Sequence, residues 1–180
     1  MVSGKGALAL AVVLAALIGA FAWASRPQSP PPPLFPCDVT NALDLRVTAA
    51  DGRQVEVSRP ALHGTWAVVV PSPGPAEPEL AQSLVESLHS VKADDTLRDQ
   101  SPADYGLDHP TRTVTCRVAS GSSFTLTVGK ERFDGGGYYA RKAGDPNVYV
   151  ISSVPVDDFD NRLKQPPYRG NFLPSPSPTS

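Results

Sequence analysis

The sequence predicts an α+β domain, an antiparallel sheet packed by one amphipathic helix and preceded by a single transmembrane helix. Three observations carry that prediction. Between Thr111 and Val128 apolar residues fall at every second position, Val114, Cys116 and Val118 and then Phe124, Leu126 and Val128, the period of strands with one buried face. Leu80, Leu84, Leu88 and Val91 recur instead at helical spacing, with Ala81 and Val85 beside them. Gly6 to Ser25 holds no charged residue, and about 20 such residues span a hydrocarbon core of about 30 Å.

In that first segment Leu8, Leu10, Val13, Leu14, Leu17, Ile18 and Phe21 supply the apolar bulk, and Trp23 stands where an interfacial aromatic belongs. Ala22-Trp23-Ala24 before Ser25 also reads as an A-x-A-like cleavage site, so a signal peptide is the rival. The apolar run exceeds the usual signal core and favours an uncleaved anchor over residues 1–26. Either reading sends the remainder out of the cytoplasm, to the periplasmic or extracytoplasmic side of an inner or energy-transducing membrane. Residues 27–38 follow as a linker, with six prolines between Pro27 and Pro36. A polyproline-type spacer of this kind extends about 3 Å per residue.

The folded domain is placed at 39–164. Leu43 to Val47 alternates, Asp51-Gly52 is a turn signal and Val55 to Val57 alternates again, so Leu43 to Ser58 reads as a β-hairpin. Trp66-Ala-Val-Val-Val-Pro71 is short and almost wholly apolar, the composition of a central strand buried on both faces. The helix over 78–91 opens on Pro78 with Glu77 and Glu79 at its positive end and Lys92 near its negative end. Gly106 permits a positive φ, Leu107 anchors, and Pro110 extends the chain into the next strand. Two strands follow, over 111–118 and 124–128, the second ending at Gly129. Tyr138 to Arg141 and Val148 to Ile151 complete a four-strand meander. Val156 to Leu163 reads as one or two helical turns with Phe159 and Leu163 packing, and 165–180 as a Pro/Ser-rich disordered tail.

Charge and composition exclude some partners. The chain carries a formal net charge of −2, and no basic run interleaved with aromatics appears, so nucleic acid is not an expected partner. Cys37 and Cys116 can pair in an exported domain. Cys116 also shares an apolar face with Val114 and Val118, the position of a buried free thiol, so both states stay open.

Trp66 leading into its strand, Tyr105-Gly-Leu-Asp-His-Pro110, Leu126-Thr-Val-Gly129, Gly137-Tyr-Tyr-Ala-Arg141 and Val148-Tyr-Val150 stand in the order of a known family. The chain resembles the bacterial domain of unknown function 4340 family over about Leu43 to Leu163. The resemblance implies an N-terminally anchored envelope protein, with some relatives linked to auxiliary components of ABC transport or gliding systems. It brings no catalytic residue. This chain departs from longer relatives in holding a single copy of the unit, with a Pro-rich stalk and a Pro/Ser tail.

No motif here carries a reaction. His63, His89 and His109 lack ligand spacing, and Asp157-Asp-Phe-Asp-Asn161 lacks the glycine and the closing glutamate of a calcium loop, reading instead as a polar face around Phe159 with an N-cap from Asp157. Asp94-Asp95 reads as a solvated loop. Gly135-Gly-Gly137 precedes a strand where a phosphate cradle needs a helix, and is a turn. Tyr138, Tyr139, Arg141 and Tyr149 remain as the candidate partner surface: alternation sends Tyr138 and Ala140 one way and Tyr139 and Arg141 the other, so one set is core, packed across strands, and the other presents Tyr and Arg together, the composition of interface hot spots. The expected partners are membrane lipid at the N-terminal helix and other subunits of a membrane complex, with no cofactor and no metal. The expected function is a non-enzymatic accessory or scaffolding subunit. Auxiliary binding of a polysaccharide or lipid in an ABC-type system is the alternative, and hydrolase chemistry a distant third.

Overall fold

The alternating segments pair as their periods require. The computed structural model describes residues 33–98, 100–170 and 172. There, nine strands form one antiparallel sheet: β1 (Ala42–Ala49), β2 (Gln54–Ser58), β3 (Ala67–Val70), β4 (Gly74–Pro75), β5 (Asp95–Leu97), β6 (Arg112–Val118), β7 (Ser123–Glu131), β8 (Tyr138–Lys142) and β9 (Val148–Ile151). Across the sheet they run β4-β3-β2-β1-β6-β7-β8-β9-β5. The predicted hairpin and the meander from β6 to β9 both form.

Two helices, α1 (Pro78–His89) and α2 (Ser153–Lys164), cover one face of this sheet. Ala81, Leu84, Val85 and Leu88 of α1 and Val156, Phe159 and Leu163 of α2 are buried in one core with Leu45, Val47, Val55, Val57, Val114, Leu126, Val128 and Ile151 from the strands. Register explains the selection: Leu45 lies opposite Val57 and Cys116, and Val47 opposite Val55 and Val114, so each row turns the same way.

Several expectations are corrected. Trp66 to Val70 is not central, because β3 has only the two-residue β4 outside it, and Val69 is 39% exposed. The helix of 156–163 is longer than two turns and starts at Ser153. Pro155 falls in its first turn, where N–H groups have no intrahelical partner, and Ser152 rather than Asp157 provides the N-cap by accepting from the Val154 N–H at 3.3 Å. Strand β7 continues through Gly129 to Glu131. Asp95 belongs to the edge strand β5, paired with Val150 of β9.

Both ends of the folded unit extend past the predicted limits. Phe35 and Cys37, assigned to the linker, are fully buried, and the Leu34 N–H donates to the Val91 carbonyl at 3.2 Å. Cys37 forms a disulfide with Cys116 across a Cα–Cα distance of 6.6 Å, so neither cysteine is free. Beyond α2, Tyr168 bridges Ala76, and its hydroxyl donates to the Ser72 carbonyl at 2.7 Å. Residues 165–170 thus continue along the β4 edge in place of the disordered tail expected there. Residues 173–180 and the predicted membrane span at 6–25 lie outside the described residues. Among the described residues no helix is long and apolar enough to cross a membrane.

Candidate functional site

The predicted surface of Tyr138, Tyr139, Arg141 and Tyr149 sits on β8 and β9. Register divides it between the two faces. Tyr138 pairs with Ile151 and Ala140 with Tyr149, placing both tyrosines on the helix-covered side, whereas Tyr139 pairs with Val150 and faces outward with Arg141. The four residues therefore do not form one surface.

Each half has its own environment. Tyr149 is 8% exposed, and its hydroxyl donates to Asp145 Oδ2 at 2.5 Å. That bond raises the phenol above its usual range, with burial adding, and lowers the Asp145 carboxyl, which also accepts from the Asn147 backbone N–H. The pair locks the turn between β8 and β9. Tyr138 is partly buried against the core, with the Arg112 guanidinium 5.9 Å from its ring centroid. Arg112 in turn grips Asp160 of α2 with two bonds of 2.6 and 2.5 Å. Burial raises the Tyr138 hydroxyl most, Glu131 raises it further, Arg112 opposes, and Asp157 and Asp160 add smaller upward pushes. An acid-rich corner thus surrounds one tyrosine.

Outward, Tyr139 packs against Tyr105 with ring centroids 4.6 Å apart and the planes tilted by 55°. Tyr105 belongs to the 3-10 turn Pro102–Tyr105, which ends at Gly106 with φ +70° and leads to buried Leu107. This segment lies against the outer face of the sheet because Gly129 has no side chain: a Cβ there would drive into the Tyr105 carbonyl oxygen. Val148 and Val150 are buried on the same side.

The other half of the outer face is polar, and none of the described residues covers it. Arg46 on β1 pairs with Glu56 on β2 at 2.6 Å, Arg117 on β6 pairs with Asp44, and Asp44 also accepts from the Ser58 hydroxyl. Thr115 and Thr125 share a hydroxyl contact of 3.2 Å. A shallow cavity of about 220 Å³ opens among Asp44, Arg46, Glu56, Thr115, Arg117 and Ser123. A second, of about 390 Å³, lies between Gly52, Arg53, Val70, Pro71 and Leu163. In the first, cations and carboxylates neutralise one another in adjacent rows, which suits polar recognition; no acid and base there converge on an open position.

Other sequence candidates are dispersed. His63 and His109 are exposed, and the buried Nδ1 of His89 has no hydrogen-bond partner among the described residues. Asp158 accepts from Ser87 of α1 at 2.9 Å, tying the two helices. Among the described residues no group of three His, Cys, Asp or Glu side chains is arranged to hold a metal ion.

Two residues went unread in the sequence. Arg59 is buried against Trp66, 4.6 Å from the ring, and donates to the carbonyls of Ala42, Leu62 and Val39. It staples the loop before β3 to the start of β1. Phe133 is 97% exposed at the β7 to β8 loop. Its signal was available, a lone aromatic among Arg, Asp and Gly.

A family model described as Domain of unknown function (DUF4340) matches residues 66–165. No curated protein and no solved structure matches the chain.

Proposed function

The chain belongs to the DUF4340 family, and from that premise we propose that it is a non-enzymatic, membrane-anchored accessory or scaffolding subunit acting outside the cytoplasm. The observation that carries this reading is the buried Cys37–Cys116 disulfide. Structural disulfides persist in oxidising compartments, and this one begins eleven residues after Arg26, at the end of the apolar segment and its proline run. A domain fastened where its stalk arrives suits a part whose task is to be held in place. The transport-linked alternative draws on family resemblance alone, and Tyr138 and Tyr139, facing opposite sides of the sheet, offer no shared platform for a sugar ring.

The test uses the full-length chain in its native membrane. Alkaline washing is expected to leave it in the membrane pellet, and Cys37 and Cys116 are expected to resist alkylation until a reductant is added. Crosslinking before gentle extraction is expected to yield an assembly larger than the monomer. Recovery from the cytosol with both thiols free, or a crosslinked monomer alone, would overturn the reading.

A further inference from the structure

The sheet has two ends that differ in character. The chain enters at the near end, through Cys37 to Ala42, beside Val118 and Ser123; the far end carries the β1 to β2 turn, the β7 to β8 loop and the start of α2. Phe133, at 97% exposure, gains nothing for the fold by its position. The loop that holds it is nevertheless firmly built. The Arg132 N–H donates to Gly137 at 2.8 Å, the Gly135 N–H to Arg132 at 3.0 Å and the Gly136 N–H to Asp134 Oδ1 at 3.0 Å. Gly137, with φ +154°, packs so closely on the Ile151 carbonyl and Ser152 that no Cβ would fit. A rigid loop presents an aromatic side chain with little ordering left to lose on association.

Val154, 65% exposed, lies just past Ser152, so a second apolar side chain accompanies Phe133 at this end. The cations nearest them are engaged: Arg132 is paired with Asp134 at 2.7 Å, Arg112 with Asp160 at 2.5 Å, and Lys130 donates to the Asp104 carbonyl. Glu131 and the exposed Asp157 have no ion pair among the described residues and leave this end with unpaired negative charge. An anionic lipid surface would be repelled here, while a basic protein rim would be attracted.

We propose that the far end is a docking surface, with Phe133 as anchor and Glu131 and Asp157 as its charged flank, for a partner subunit offering an apolar pocket rimmed by Lys and Arg. This rests on the accessory-subunit reading and names the surface that reading requires. The test places the photo-crosslinking residue benzoylphenylalanine at position 133, or at position 122 in the near-end β6 to β7 turn as a control, in the full chain produced in its native cell. The expected result is a protein adduct from position 133 whose crosslinked peptide carries apolar residues flanked by Lys or Arg. In the E131K/D157K variant, whose thermal unfolding should match the parent, its yield is expected to fall at least tenfold. A lipid adduct, an acidic peptide, or a yield indifferent to charge reversal would overturn the proposal. Protein adducts from position 122 alone would overturn this surface and leave the accessory reading standing; adducts from neither position would overturn both.

Discussion

Strands β3 and β9 make an instructive pair. Their sequences, Ala67-Val-Val-Val70 and Val148-Tyr-Val-Ile151, have nearly the same apolar character, and each lies second from an edge of the sheet. Both receive the core on one face, yet only β9 is buried along its whole length, while β3 leaves Val69 39% exposed. The difference lies with the segment carrying Tyr105 and Leu107, which covers the outer face at Gly129 of β7 and Tyr139 of β8, on the β9 side of the sheet, and has no counterpart over β3 among the described residues. Apolar composition therefore reports the tolerance of a strand for burial, and a remote stretch of chain decides whether burial occurs on the second face.

The comparison breaks most readily at the cover. Leu107→Ala should remove its anchor and destabilise the domain by about 2–5 kcal/mol, read from chemical denaturation. Gly129→Ala should lift the same segment off β7 and lower stability by about 1–3 kcal/mol; retention of the parental midpoint would show that the close approach is dispensable. The matched substitutions Val150→Ala and Val69→Ala sharpen the contrast, with an expected loss of about 2 kcal/mol in β9 and less than about 0.5 kcal/mol in β3. Equal losses would mean that the outer cover contributes little.

The smallest effect lies at the turn entering β9. The Asp145 carboxyl is lowered first by the Tyr149 hydroxyl and then by the Asn147 N–H. Its contribution is thus fully present above the unfolded carboxyl value of about 3.9 and is lost as pH falls through the lower folded value. Asp145→Asn should abolish that part of the acid sensitivity, so the stability gap between parent and variant should narrow below about pH 4. A gap independent of pH would exclude the carboxylate as its source.

What could be read in advance followed from local chemistry. The β1 to β2 hairpin rests on Asp51-Gly52, where Gly52 has φ +85°, and α1 rests on a stripe that buries Leu84 and Leu88. Strands β4 and β5, of two and three residues, are too short to show a period. The first turns of α2 are hard to recognise because Pro155 and the acids at 157, 158 and 160 resemble a loop, although proline is harmless in a first turn. The tyrosine cluster is legible only in part. Alternation separated Tyr138 from Tyr139, but placing Tyr149 required the register of β8 against β9, which no residue near it encodes. The cysteine pairing spans 79 residues and leaves no local trace.

That crosslink also fixes how the domain would respond to being pulled. Tension arriving along the chain from before Leu34 meets one backbone bond to Val91 and the buried ring of Phe35. Past these it reaches Cys37, where a covalent path leads straight to Cys116 in β6, the middle strand of nine. The force is delivered to the centre of the hydrogen-bonded ladder, flanked by β1 and β7, instead of peeling β1 away from its end. While the sulfurs stay joined, a moving attachment at the N-terminal side would drag the whole plate as one piece; once they are reduced, the same pull would begin to unravel it.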